Sequence, residues 1–233
     1  MARFAALLLD IDGTLLRAGG AGRRAFEAAL EDHLGAPIDG AVSDLRFDGM
    51  TDRGIVRESL RLLARPFGEA ACDDILARYL AHLTREIEDP GYRVLPGVAE
   101  LLGRLQAGGA AYGLCTGNVR EGARVKLRRG DLERWFDWSP TGMHGFAADG
   151  EARPLVVAAA VRRVGAGLGR AVATAEVLVV GDTPRDVLAA HEVGCPCLCV
   201  ATGNFDEAAL RVAGADWVVP TLEHPEARAL LEG

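Results

Sequence analysis

Lysine is nearly missing from this sequence. Lys126 is the only one, and arginine carries the rest of the 26 basic charges against 33 acidic ones, a net charge of -7. The basic stripe that usually marks nucleic-acid binding is absent, so no nucleic-acid partner is expected. No apolar run approaches the ~20 residues a membrane-crossing helix needs. The run at residues 4–9 is short and stops at Asp10, unlike the apolar region of a secretory signal. Cysteines are few: Cys72, Cys115, Cys195, Cys197 and Cys199, the last three alternating as same-face positions on one strand do. No matching Cys/His pair completes a tetrahedral zinc set at the usual spacing, so these read as buried thiols of a reducing compartment. The expectation is a cytoplasmic protein with no membrane partner, and nothing in the sequence specifies an oligomeric state.

Short apolar runs recur instead, at residues 6–9, 111–115, 177–180, 197–201 and 217–219. Helical patterns accompany them at 98–106, 119–129, 155–164, 184–193 and 205–213. Strand alternating with helix predicts an α/β fold, a doubly wound parallel sheet covered on both faces. Residues 16–92 break the rhythm. They read as three helices, near 22–34, 51–64 and 69–88, between the flexible pairs Gly19-Gly20 and Pro90-Gly91. Three consecutive helices exceed an ordinary crossover. A helical cap domain at 16–92, inserted into a core of 1–15 and 93–233, is the expectation.

The first strand runs straight into Asp10-Ile11-Asp12-Gly13-Thr14. In a continuing strand, residues two apart share a face, so Asp10 and Asp12 would project together. Strand ends are also where open α/β sheets place their ligands. A second strand ends in Thr116-Gly117-Asn118, a hydroxyl and free N–H groups at a helix start, which suits a phosphate. A later one ends in Gly181-Asp182-Thr183-Pro184-Arg185-Asp186. Thr183, Pro184 and Asp186 there spell a capping box, but capping does not account for Asp182. Arg153, before Pro154, is either a surface charge or the cation such a site needs. Lys126 competes for that role, but its place among Arg124, Arg128 and Arg129 predicts a solvent-facing position.

Taken together, these residues resemble the haloacid dehalogenase superfamily, specifically its phosphoglycolate phosphatase-like members, over essentially the whole chain. The Asp10–Thr14 segment resembles the first motif, Thr116-Gly117-Asn118 the second, and Gly181-Asp182 with Asp186 the last. Arg153-Pro154 stands where many members carry Lys-Pro. The resemblance implies a Rossmann-like core with a mobile cap, and a Gly49-Met50-Thr51-Asp52 loop reaching into the site. It also implies Mg²⁺ held by the Asp10 carboxylate, the Asp12 carbonyl and Asp182, with Asp186 holding a metal-bound water or orienting its neighbours.

The chemistry argues the same way. Clustered carboxylates repel one another by roughly 4 kcal/mol per pair at ~4 Å and an effective dielectric near 20, so a cation must join them. Oxygen-only ligands point to Mg²⁺. Asp10 then serves as nucleophile, Asp12 as general acid and base, and Thr116, backbone N–H groups of the Gly117-Asn118 turn and Arg153 as the phosphate seat. The expected activity is hydrolysis of a small phosphate monoester such as phosphoglycolate through an aspartyl-phosphate. A phosphosugar mutase, which shares every core residue, and a non-catalytic phosphate-binding module are the alternatives. Met50 and Thr51, with Asp52 and Arg53 beside them, are candidates for contacting the rest of the substrate. Thr51 or Asp52 could equally be a helix cap.

Overall fold

The computed structural model describes residues 3–232. Five parallel strands form the central sheet in the order β4-β1-β5-β6-β7. They are β1 (Ala6–Leu9), β4 (Tyr112–Leu114), β5 (Val177–Gly181), β6 (Cys197–Val200) and β7 (Trp217–Val219). All four residues of β1 are buried, as a parallel strand covered on both faces requires. Its side chains divide by parity. Leu7 and Leu9 pack with α4 (Val98–Ala107) and α9 (Pro225–Glu232), whereas Ala6 and Leu8 pack with α6 (Arg153–Leu168) and α7 (Pro184–Val193). Cys195, Cys197 and Cys199 fall together on the second face, and all five cysteines are buried and free. The doubly wound α/β expectation holds. No helix among the described residues is long and apolar enough to cross a membrane.

Between β1 and β4 the chain makes α1 (Ala21–Leu34), α2 (Asp52–Leu62) and α3 (Glu69–Glu86), which share an apolar cluster of their own around Phe26, Ile55, Ile75 and Tyr79. Two short strands that the periodicity does not reveal, β2 (Leu16–Ala18) and β3 (Tyr92–Val94), pair antiparallel where this segment leaves and rejoins the sheet. Gly19 adopts φ +60°, and a Cβ there would lie 2.5 Å from the Gly91 carbonyl carbon. The two ends of the helical segment therefore touch through glycines, and any side chain at Gly19 would force them apart. Helix α5 (Arg120–Arg129) follows β4.

Candidate active site

The C-terminal ends of β1, β4 and β5 converge on a cavity of about 480 Å³ between the sheet and helices α1–α3. Asp10 follows β1, and Asp182 follows β5. Asp186 sits in the first turn of α7, where its Oδ2 accepts from the Asp182 and Thr183 N–H groups and from the Thr183 hydroxyl. The expected capping box is present, and it leaves Oδ1 of Asp186 to Arg153. Oxygens of Asp10, Asp182 and Asp186, all buried, lie within 4.8 Å of one another. Arg153, at the start of α6, lies over them. Its Nη2 is 3.0 Å from Asp10 Oδ2 and also contacts Asp186 Oδ1. Neither Nη2 nor that Oδ1 has a partner in hydrogen-bond geometry, so charge rather than a directed bond holds them.

One guanidinium does not balance three acids. Burial pushes Asp10 up to about 6 despite Arg153, with Asp186 and Asp12 adding to the rise. Burial, then Asp186 and Asp10, raise Asp182 well above the usual carboxylate range. Groups so displaced signal a missing positive charge. Glycines also crowd Asp182: a Cβ on Gly13 would come within 2.1 Å of its Oδ2, and one on Gly203 within 1.7 Å. Backbone thus comes close to this carboxylate from two sides. An all-oxygen, crowded, under-neutralised set fits a small divalent cation.

Asp12 takes a different direction. Regular strand ends at Leu9, so the two-residue periodicity does not carry through to it. Its Oδ2 instead accepts from Asn118 Nδ2 at 2.9 Å and from Lys126 Nζ at 2.6 Å. The structure therefore brings three side-chain carboxylates together and holds the fourth on Lys126 and Asn118. Lys126 corrects the expectation of a solvent face: it is buried, with Nζ also 2.6 Å from Asn118 Oδ1. Its buried neighbours on α5 are Gly122, Ala123 and Leu127. That i−4, i−3 spacing from small residues was the available signal. Thr116 is buried, its Oγ1 accepting from the Asn118 side chain at 2.7 Å.

The loop before α2 closes down on Gly117. Asp52 N–H donates to Gly117 O at 2.7 Å, and Asp52 Oδ2 accepts from Val119 N–H at 2.7 Å. A Cβ on Gly117 would strike Met50 O at 2.1 Å, so only glycine admits this loop. Arg153 Nη1 reaches Gly49 O at 3.4 Å. Met50 lines the cavity; Thr51 does not. Thr51 caps α2 through Gly54 N–H and donates its hydroxyl to Glu151 O at 2.7 Å, so its hydrogen bonds are spent on the fold. Arg53 pairs with Glu69. Asp52 and Tyr79, which sequence reasoning respectively left open and missed, both line the cavity.

Residues 4–194 match the family model of haloacid dehalogenase-like hydrolases. The chain belongs to that family. Among similar family proteins is a phosphoglycolate phosphatase of Rhodospirillum rubrum, 30% identical over 215 residues, covering 87% of this chain and 81% of that one. A phosphoglycolate phosphatase of Synechococcus elongatus is 27% identical over 204 residues, covering 84% and 90%. A hydrolase from Pseudomonas syringae shares the fold at a TM-score of 0.71 and 21% identity, over 95% of this chain and 98% of that one. As a member of this hydrolase family the chain is an enzyme, and the buried Asp10, Asp182, Asp186 cluster is compatible with the divalent metal such enzymes use.

Proposed function

We propose that this hydrolase is a Mg²⁺-dependent phosphatase acting on a small phosphate monoester, the class to which phosphoglycolate, named for the two relatives above, belongs. The observation that carries this reading is the presence along one cavity of two kinds of acid: Asp10 among buried carboxylates beside Arg153, and Asp12 held instead by Lys126 and Asn118. Asp10, Asp182 and Asp186, with the carbonyl of Asp12, would hold the ion, with Asp186 acting directly or through a bound water. When bound, Mg²⁺ offsets the crowded negative charge and polarises the phosphoryl oxygens.

Asp10 attacks phosphorus, forming an aspartyl-phosphate as the bond to the leaving oxygen breaks. Asp12 gives its proton to that oxygen, then takes one from the water that cleaves the Asp10–phosphorus bond and frees phosphate. Thr116, the Gly117-Asn118 backbone and Arg153 hold the equatorial oxygens, the fork of Arg153 replacing the more usual lysine. Gly117 brings main chain close to this seat, and its conformation is fixed by the loop that covers it.

The test is release of inorganic phosphate from p-nitrophenyl phosphate and a panel of monoesters with Mg²⁺. Turnover should vanish on chelation and return with Mg²⁺, and D10N should be inactive while folded. Acid-quenched enzyme should carry phosphate on Asp10. Undiminished hydrolysis after chelation, or full activity of D10N, overturns the reading; an isomerised phosphosugar without free phosphate would indicate a mutase instead.

A further inference from the structure

Beneath α1–α3 the cavity wall carries two polar groups that the phosphoryl chemistry leaves unused, Asp52 and Tyr79, together with Lys126, which holds Asp12. Asp52 is 4% exposed, and only its Oδ2 is engaged. Tyr79, on α3, is 0% exposed, with its ring stacked on Phe26 at 3.9 Å between centroids. Among the described residues neither the Tyr79 hydroxyl nor Asp52 Oδ1 has a hydrogen-bond partner, although both residues line the cavity. Lys126 directs two of its three N–H donors to Asp12 and Asn118, which leaves one. These polar groups line the cavity and are open to a ligand that completes their hydrogen bonds.

The donor and acceptor pattern defines that ligand. A hydroxyl both donates and accepts, so it can donate to Asp52 and accept from Tyr79 or Lys126. A carboxylate only accepts, and here it would face Asp52 and Asp12, with Lys126 already paired to Asp12. Of the other cations along the cavity, Arg17 donates to the Thr202 and Gly203 carbonyls and Arg23 to the Val42 and Leu45 carbonyls and Glu27, while Arg93 lines it from the exposed face of the β2–β3 ribbon. Phe47, Met50 and Ile55 supply an apolar wall for a carbon skeleton.

We propose that Asp52, Tyr79 and Lys126 form a leaving-group subsite that selects phosphate monoesters of uncharged, hydroxylated alcohols over esters whose leaving group carries a carboxylate. This rests on the phosphatase reading above, and it places phosphoglycolate on the disfavoured side. The test uses two matched pairs that differ only in CH₂OH against COO⁻: glycerol 3-phosphate with 3-phosphoglycerate, and 2-hydroxyethyl phosphate with phosphoglycolate. At pH 8 with Mg²⁺, kcat/KM of the native enzyme should favour the hydroxyl member of each pair by about tenfold or more. D52N should shrink that ratio several-fold, and Y79F should lower kcat/KM for the hydroxyl member alone. A ratio measured within one preparation cancels any loss of folded enzyme. Preference for the carboxylate members, or ratios unmoved in both variants, would overturn the subsite while leaving the phosphatase standing. Absence of phosphate release from every ester, p-nitrophenyl phosphate included, would overturn the phosphatase reading and the subsite with it.

Discussion

Lys126 Nζ and Asp12 Oδ2 stand 2.6 Å apart, the lysine side chain 6% exposed and the aspartate 42%. The buried partner is the cation, and the acid is the one open to the cavity. With Asn118 donating to the same Oδ2, the other oxygen of Asp12 has no hydrogen-bond partner among the described residues. The pair thus leaves one carboxylate oxygen of Asp12 free for the proton transfer proposed above.

Replacing Lys126 by Met keeps the bulk and removes the clamp. We expect kcat on alkyl phosphates to fall by about 10–100-fold, a share of the 10²–10⁴ typical of general acid–base help. The loss should be smaller with p-nitrophenyl phosphate, whose leaving group needs little protonation. Equal losses on both substrates would mean that Lys126 serves the fold and not Asp12.

Arg153 is buried with Asp10 and Asp186 on one side of it. R153M removes the cation and leaves those acids facing one another, a change of the kind that costs about 3–5 kcal/mol. Urea unfolding should show that loss without metal, and Mg²⁺ should recover part of it because a second cation then reaches the same acids. A stability loss that Mg²⁺ does not touch would separate Arg153 from the metal cluster.

Asp52 imposes a cost on the fold. Burial pushes it up to about 7, with Lys126 and the Val119 N–H holding it down and Asp12 adding to the rise. Its unfolded value is near 3.8, so between those limits the folded state binds the extra proton, and stability falls as pH rises. D52N abolishes that dependence and keeps an oxygen for Val119. It should therefore be the more stable protein at pH 8, by at most about 4 kcal/mol for a shift near three units. The gap should narrow on moving to pH 5. A gap independent of pH would exclude Asp52 as its source.

His144 predicts a dependence of opposite sign. Its Nδ1 accepts from Leu114 N–H at 2.9 Å, and its Nε2 donates to Asp137 O at 2.6 Å, so the ring is held neutral beside β4. Burial, with Arg120 and Arg163 contributing, lowers its pKa, while the Asp137 carbonyl opposes the shift. The stability this gives is present above the unfolded value of 6.5 and is lost as pH falls through the lowered folded value, because the unfolded chain takes up the proton first. H144Q should flatten the acid limb of a Tm–pH curve below 6.5. An unchanged slope would count against the assignment.

Much of the fold was legible because its signals are local. The helix expected at 184–193 matches Pro184–Val193 residue for residue, since Thr183, Pro184 and Asp186 encode their own start. Strand β1 stops where the apolar run meets Asp10. The ribbon of Leu16–Ala18 with Tyr92–Val94 was not legible: three residues on each side carry no periodicity, and they become strands only by meeting each other. Helix α9 was missed as well, its eight residues giving little pattern to read.

By itself the sequence determined the strand–helix alternation, the order of the acidic motifs and the helical segment between the first two, because apolar period and turn chemistry are written within a few neighbouring residues. Tertiary structure alone decided which charges meet. Lys126 reads as one more cation on a basic helix until the fold carries it to Asp12, 114 positions earlier. Asp52 and Tyr79 become cavity walls only when the loop before α2 closes on Gly117 and α3 packs against α5. Coulomb and hydrogen-bond energies depend on distance through space, and no local pattern encodes that distance.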